Sequence, residues 1–305
     1  MSKFLITIVG PTAIGKTSLA IKLAKNYKTE VISADSRQFY RELNIGTAKP
    51  SKDELSSVKH HLINNISVTD KYDISQFESD ARKIIENLFK TKDYIILVGG
   101  SGLYIDTILY GIDKIPDVED SIRKKLNEEF QNNGLKNLLT QLKKIDPVTY
   151  KNIDLSNHRR IIRALEVSIS SKKPYSSFLT NSVKASNYNE IIIGLNCDRD
   201  KLHSLINKRV DKMIKCGLIE EVKKLEKFKN LNALNTIGYK EIFDYLNNKT
   251  SLEESIEKIK TNSRRYAKRQ LTYFNSNKKI NWFENQYEIK NIIKLIESRN
   301  ELLNN

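Results

Sequence analysis

Residues 4–17, FLITIVGPTAIGKT, constrain this chain more than any other stretch. A continuous apolar run rich in β-branched side chains reads as a strand buried on both faces. It leads directly into G-x-x-x-x-G-K-[ST], the signature of a phosphate-binding loop. The residues that follow, TSLAIKLAKNY, put Leu19, Ala20, Leu23 and Ala24 on one helical face. Gly10 and Gly15 let the backbone turn tightly on either side of Pro11, so that Thr12, Ala13 and Ile14 can present backbone N–H groups to an anion. The helix adds its positive N-terminal end. Lys16 supplies a point charge to phosphate oxygens, and the Thr17 hydroxyl is a ligand for Mg²⁺. Loops of this kind usually hold ATP or GTP. The pattern alone does not choose between a nucleoside triphosphate and another diphosphate.

The pattern beyond the loop predicts an α/β fold, a P-loop-like parallel sheet with crossover helices and a helical insertion. EVISADS at 30–36 reads as a second strand, DISQFESDARKIIENLFKTKD as an amphipathic helix, and YIILVGGSGLY at 94–104 as a third strand opening into a Gly-Gly turn. After IPDVED the character changes to polar helices. HRRIIRALEVSIS at 158–170 is helical with Ile161, Ile162, Leu165 and Ile169 inward, and EIIIGLNCD at 190–198 returns to strand. The expected organisation is a core of residues 1–116 and 159–305 interrupted by an insertion at 117–158. Helices are expected over 201–216, 218–228, 238–247 and 252–275, with a polar helix or frayed tail in the last twenty residues.

No apolar run approaches the roughly 18 residues that a membrane span needs, and the N-terminal run enters a glycine loop rather than a cleavage site. A cytoplasmic protein with no membrane partner is the expectation. Two cysteines, Cys197 and Cys216, form no metal or disulfide pattern. The net charge is +15, and residues 258–279 hold eight Lys or Arg and no acid. Such concentration, rather than scatter, points to nucleic acid.

Many phosphate-loop enzymes end an apolar strand on an Asp that serves the Mg²⁺ shell. The third strand here ends IILVGGSG without an acid, and the carboxylate, Asp35, follows the second strand instead. Ligands bind at the C-terminal ends of parallel strands. Gly10 to Thr17, Asp35 and Ser101 are therefore expected to converge, with Asp35 as a general base or metal group, or otherwise as a helix cap. The adjacent His60 and His61 have no metal-site spacing and read as structural.

Eight blocks occur in order: GPTAIGKT, ISADSRQFYRELNIGTAKP, HHLIN, VGGSGLYI, HRRIIRALEV, INKRVDKMIKCGLIEEV, TIGYKEI and RRYAKRQLTYF. Together they resemble the tRNA isopentenyltransferase (tRNA dimethylallyltransferase) family in its bacterial form, over nearly residues 4–284. The resemblance implies transfer of a dimethylallyl group from dimethylallyl diphosphate to N6 of the adenosine just 3′ of the anticodon. The loop Gly10–Thr17 would then hold a prenyl diphosphate, and no strand-terminal Asp for triphosphate hydrolysis is needed. The implied partners are the tRNA anticodon stem-loop and the diphosphate, with Mg²⁺ at Thr17, in a monomeric enzyme. Family members commonly carry Ser where this chain has Ile14, and the bacterial resemblance carries the expectation of no zinc-finger extension of the kind found in eukaryotic relatives.

The family match implies catalytic roles for Asp35, taking or holding the amine proton, for Thr17, and for Arg209, reaching the diphosphate. Thr12 is expected to hydrogen-bond the diphosphate. Against tRNA the resemblance places Asp35, Ser36, Arg37 and Gln38, whose amide suits a base edge. It adds Ser101, Arg123, the segment Arg159, Arg160, Ile161, Ile162 and Arg163, and the turn Gly238, Tyr239 and Lys240. Arg264, Arg265, Lys268 and Arg269 form two cationic rows on one helix, while the interleaved Tyr266, Tyr273 and Phe274 read as core. Two rival readings share the loop. A small-molecule or nucleotide kinase predicts ATP binding and no need of the basic helix, and a non-catalytic RNA-binding switch predicts no role for Asp35.

Overall fold

The computed structural model describes residues 2–180 and 187–304. Strand β1 (Phe4–Val9) is buried along its whole length. The loop then enters α1 (Lys16–Asn26), which buries Leu19, Ala20, Leu23 and Ala24. β2 (Val31–Ser33) is shorter than its apolar run. A capping box of Ser51 and Glu54 starts α2 (Lys52–Ser57), and β3 (His60–His61) follows. A second box, Asp73 with Gln76, starts α3 (Ile74–Leu88), ahead of β4 (Tyr94–Val98) and α4 (Gly102–Tyr110).

Four helices come next: α5 (Asp120–Asn133), α6 (Leu135–Ile145), α7 (Pro147–Asn152) and α8 (His158–Ser171). β5 (Asn189–Asn196) returns to the sheet, followed by α9 (Arg199–Lys215), α10 (Leu218–Lys224), α11 (Tyr239–Leu246) and α12 (Leu252–Asn275). The chain closes with β6 (Ile280–Glu284) and α13 (Ile289–Asn304).

All six strands are parallel, in the order β3-β2-β4-β1-β5-β6. β1 is central, with Leu5 level with Ile95 on one side and Glu190 on the other. Burial on both sides explains its unbroken apolar sequence. Because the strands are parallel, the loops leaving β1, β2 and β4 emerge at one end of the sheet, where such sheets bind ligands. Among the described residues no helix is long and apolar enough to cross a membrane.

The backbone divides into two compact units, Met1–Leu109 with Ala185–Asn305, and Tyr110–Lys184. The second unit is larger than the 117–158 segment expected from composition. Helix α8 belongs to it because Ile161, Ile162 and Leu165 pack on Leu126, Leu138 and Leu142 of α5 and α6. Ile169, expected inward, is 40% exposed: it continues the stripe's spacing, but near the end of the helix, outside the cluster that buries Ile161, Ile162 and Leu165. The tail is not frayed. Ile292 and Ile296, one turn apart on a polar helix, are fully buried in the core cluster that includes β1 and α1. β6 escaped sequence reading because it is a short edge strand in which only Ile280 is buried. His60 and His61 form the opposite edge, where His61 Nε2 lies 2.6 Å from Glu30 Oε2 and His60 Nδ1 lies 2.8 Å from the Val58 carbonyl. Both cysteines are free thiols.

Candidate active site

The loop after β1 is built to approach its neighbours closely. Gly10 has φ 138°, and a Cβ there would lie 2.4 Å from the Leu195 carbonyl oxygen of β5. Only glycine fits. Ala13 takes a left-handed conformation, with φ 68°. Ile14 is buried in the core under the loop, so its apolar side chain anchors the turn while leaving its backbone to the loop. At the start of α1, Gly15 gives no side-chain cap. The first amides of that helix therefore face the loop mouth without a side-chain acceptor, as an anion site requires.

A cavity of about 320 Å³ opens over this loop. It is lined by Thr12 to Ser18, by Asp35 and Gln38 after β2, by Gly99 and Gly100 after β4, by Arg209 of α9, and by Tyr266 and Gln270 of α12. Lys16 Nζ donates to the carbonyls of Gly10 at 2.9 Å and Pro11 at 2.8 Å. Its third N–H is the one that can serve an oxyanion. Burial, helped by the charge of Arg209 and opposed by Asp35, lowers the Lys16 pKa to about 7. Burial also lowers Arg209, again against Asp35. The two cations and one carboxylate thus share a poorly hydrated space, where electrostatic effects are strong. Burial and then Asp35 push the Tyr266 phenol upward.

Asp35 caps a turn rather than a helix: its Oδ1 accepts from the Arg37 amide at 2.9 Å. The second carboxylate oxygen is not needed for that turn. Arg209 Nη1 donates to Thr12 Oγ1 at 2.9 Å, which joins α9 to the loop. The Thr12 amide donates to Gln270 Oε1 at 2.8 Å. The helices that pack on the loop thus orient Thr12: its amide is spent on Gln270, whereas its hydroxyl, which accepts from Arg209, keeps its own O–H to donate.

Several residues expected against tRNA have other employment. Tyr239 is fully buried, and its hydroxyl donates at 2.6 Å to Glu221, which also accepts from the amides of Asn44, Ile45 and Gly46. Gly238 is buried beside it, and only Lys240 of that turn is exposed. TIGYK therefore ties down the NIGTAKP loop. Gln38 donates to the carbonyls of Thr47 and Ala48 and accepts from Ser33, so its amide is occupied within the fold although it lines the cavity. Arg37 braces the carbonyls of Asn232 and Ala233. Ser36 and Ser101 meet, the Ser36 amide lying 3.4 Å from Ser101 Oγ.

In the second unit Ile161 and Ile162 are core residues, which removes their side chains from any RNA surface. Arg123 and Arg163 both grip the buried Glu166, at 2.6 and 2.7 Å. Each arginine keeps roughly half its side chain exposed, 53% and 40%. Arg159 and Arg160 are exposed without such a tie among the described bonds to their guanidinium groups. On α12, Arg264 is bound to Asn207 and Thr261, whereas Arg265, Lys268 and Arg269 are exposed, Arg269 lying over the Tyr266 ring. Of the aromatics read as core, only Phe274 is buried. Tyr266 lines the cavity, and Tyr273 is largely exposed and donates to Asp106.

Sequence reasoning passed over Gln270. The signal was available: it lies on the buried face of α12 with Ala267 and Phe274, and a buried amide on an apolar stripe must find partners.

The sequence model of the IPP transferase family matches residues 38–277. The match begins after the phosphate loop. The chain is 50% identical to a tRNA dimethylallyltransferase of Christiangramia forsetii, over 98% of this chain and 99% of that one. It is 46% identical to a tRNA dimethylallyltransferase of Flavobacterium johnsoniae, over 96% and 97%. Among solved structures, it resembles the full-length tRNA isopentenylpyrophosphate transferase of Bacillus halodurans, with TM-score 0.72, 37% identity and full coverage of both chains. It also resembles a eukaryotic dimethylallyltransferase acting on tRNA, with TM-score 0.78 and 28% identity, over 93% of this chain and 74% of that one. With the family model over most of the chain and relatives at 46–50% identity over nearly its whole length, the chain belongs to the IPP transferase family.

Proposed function

We propose that this protein is a tRNA dimethylallyltransferase that moves a dimethylallyl group from dimethylallyl diphosphate to N6 of the adenosine 3′-adjacent to the anticodon. The observation that carries the reading is one cavity in which a phosphate loop, two cations and a carboxylate meet, in a chain of this family.

In the reaction the N6 lone pair attacks allylic C1, the C1–O bond breaks, diphosphate leaves with the electron pair, and N6 loses one proton. An allylic carbon tolerates a carbocation-like transition state, so stabilising the leaving group is the largest requirement. The loop amides, Lys16 and Arg209 meet the growing negative charge. Asp35 takes the proton, or holds it by hydrogen bond, through the oxygen that the Arg37 turn does not need. The base must leave its stack, at a cost of a few kcal/mol that is lower in a loop than in a duplex.

Mg²⁺ fits the donor set. Among the described residues no cluster of three His, Cys, Asp or Glu could cage a metal, and Mg²⁺ is typically held by one or two protein oxygens together with substrate phosphates and water. Thr17, with Asp35 lining the same cavity, would hold it. When bound, it would neutralise charge on the departing diphosphate.

The exposed cations Arg265, Lys268 and Arg269 on α12, Lys240, and Arg159 and Arg160 of the second unit are assigned to tRNA phosphates. The kinase reading shares the loop but gives no role to these cations. The test incubates protein, Mg²⁺, unmodified tRNA and radiolabelled dimethylallyl diphosphate, then digests the tRNA to nucleosides. Label on N6 of adenosine is expected. No label, with tRNA bound and the protein folded, would return the assignment to a nucleotide-dependent activity.

A further inference from the structure

Helix α12 carries more than surface charge. Gln270 is 6% exposed and both ends of its carboxamide are used. Oε1 accepts from the Thr12 amide at 2.8 Å, and Nε2 donates to the Gly100 carbonyl at 2.7 Å. Only this orientation satisfies both partners, because a flipped amide would set N–H against N–H and oxygen against oxygen. The contact is close on the far side as well: a Cβ on Gly100 would lie 2.3 Å from Gln270 Nε2 and 3.5 Å from Lys16 Nζ. One side chain therefore joins the phosphate loop after β1 to the Gly-Gly turn after β4, the two backbone segments that wall the cavity. Three residues along, Tyr273 donates to Asp106 of α4, which seats the same helix on the element that follows that turn.

We propose that Gln270 is a positioning residue for the diphosphate, fixing the spacing between Thr12 and Gly100 so that the loop's remaining amides and Lys16 converge on one anion. It acts through the loop backbone rather than on the reacting atoms. The Thr12 amide, turned toward α12, is spent as the hinge pin of this clasp, and the cradle proper begins at Ala13. The proposal rests on the diphosphate reading of the loop.

Its test separates the two. Binding of inorganic pyrophosphate with Mg²⁺ to the full chain is measured by calorimetry for the wild type, Gln270→Met and Gln270→Glu, with thermal melting recorded for each. Methionine keeps length and volume but loses both hydrogen bonds. Two such bonds are together worth a factor of about 10 to 100, so Gln270→Met should weaken pyrophosphate binding by about that factor. In transfer assays the KM for the prenyl diphosphate should rise while the KM for tRNA holds. Gln270→Glu accepts from Thr12 as before but opposes the Gly100 carbonyl when ionised, and regains the second bond when protonated.

The ratio of its affinity to that of the wild type should therefore approach one near pH 5.5 and fall by pH 8. Taking the ratio at each pH removes the common response of Lys16, Asp35, Glu54, His60, Arg209 and Tyr266, which line the same cavity. A purely structural role would lower melting temperature and active fraction without moving the dissociation constant of the folded protein. Wild-type binding matched by a folded Gln270→Met variant, or a pH-independent Gln270→Glu ratio near one, would overturn the clasp. Should Gln270→Met fail to fold, the Gln270→Glu ratio alone decides. Absence of pyrophosphate binding by the wild type would overturn the diphosphate reading itself.

Discussion

Replacing Asp35 by asparagine isolates its chemical role from its structural one. The amide oxygen of the new side chain can still accept from the Arg37 backbone N–H, as Asp35 does at 2.9 Å, so the turn after β2 and the tRNA surface should persist. What disappears is a proton acceptor and one negative charge. A positioned general base contributes typically 10²–10⁴-fold, about 2.7–5.5 kcal/mol of barrier at roughly 1.4 kcal/mol per tenfold. The single-turnover rate of label transfer should fall by that factor. The tRNA dissociation constant should stay within about threefold, under 1 kcal/mol.

A second consequence follows from charge. Asp35 opposes the lowering of the Lys16 pKa, which stands at about 7. Without it Lys16 loses its proton at lower pH, so donor binding by the Asp35→Asn variant should begin to weaken at a lower pH than in the wild type. The assay is rapid-quench transfer with enzyme in excess over labelled tRNA, repeated between pH 6 and pH 8.5, beside filter binding of tRNA. A single-turnover rate within about threefold of wild type, far short of a general-base contribution, would remove Asp35 from proton transfer.

Lys16 binds a diphosphate best as an ammonium, so donor binding above pH 7 should take up a proton. Calorimetry at pH 8 in buffers of different ionisation heat should detect it, the Lys16→Ala variant should lose it together with much of the affinity, and zero uptake in the wild type would contradict the argument. Between about pH 7 and its ordinary value Lys16 binds fewer protons folded than unfolded, so its contribution to stability is most unfavourable below that window and grows less unfavourable as the pH rises through it. Removing the charges of Arg265, Lys268 and Arg269 together should reduce the slope of log K against log salt for an anticodon stem-loop by about 2 to 3; an unchanged slope would place this face away from phosphate. Glu166→Ala should cost about 1–3 kcal/mol in urea melts, less than a fully buried pair because both arginines are half exposed. Burial alone would raise the Glu166 carboxyl, but Arg123 and Arg163 outweigh it and hold it below its usual value. Its stabilisation should therefore be complete at pH 7 and lost as the pH falls below the ordinary carboxylate range, a loss that Glu166→Ala should not show.

The sequence by itself determined the strand, loop and helix of residues 4–26, because an unbroken apolar run, fixed glycines and a periodic face leave few alternatives. It determined the parallel sheet for the same reason, and the family through eight blocks in order. Tertiary structure alone decided which motif residues face a ligand. Spacing cannot tell a tyrosine that reads RNA from Tyr239, which is sealed against Glu221 by a loop nearly 200 residues earlier in the chain. Nor can it tell the tied Arg264 from the exposed Arg265 beside it. The edge strand Ile280–Glu284 and the helix buried through Ile292 and Ile296 were illegible because their apolar residues are few and gain meaning only against a partner surface. Gln270 is the sharpest case. Its neighbours in the sequence are charges and aromatics that suggest a surface, yet its amide closes a bond between residues 12 and 100. Long-range pairing of buried polar groups leaves no periodic trace, since it depends on what the fold brings opposite.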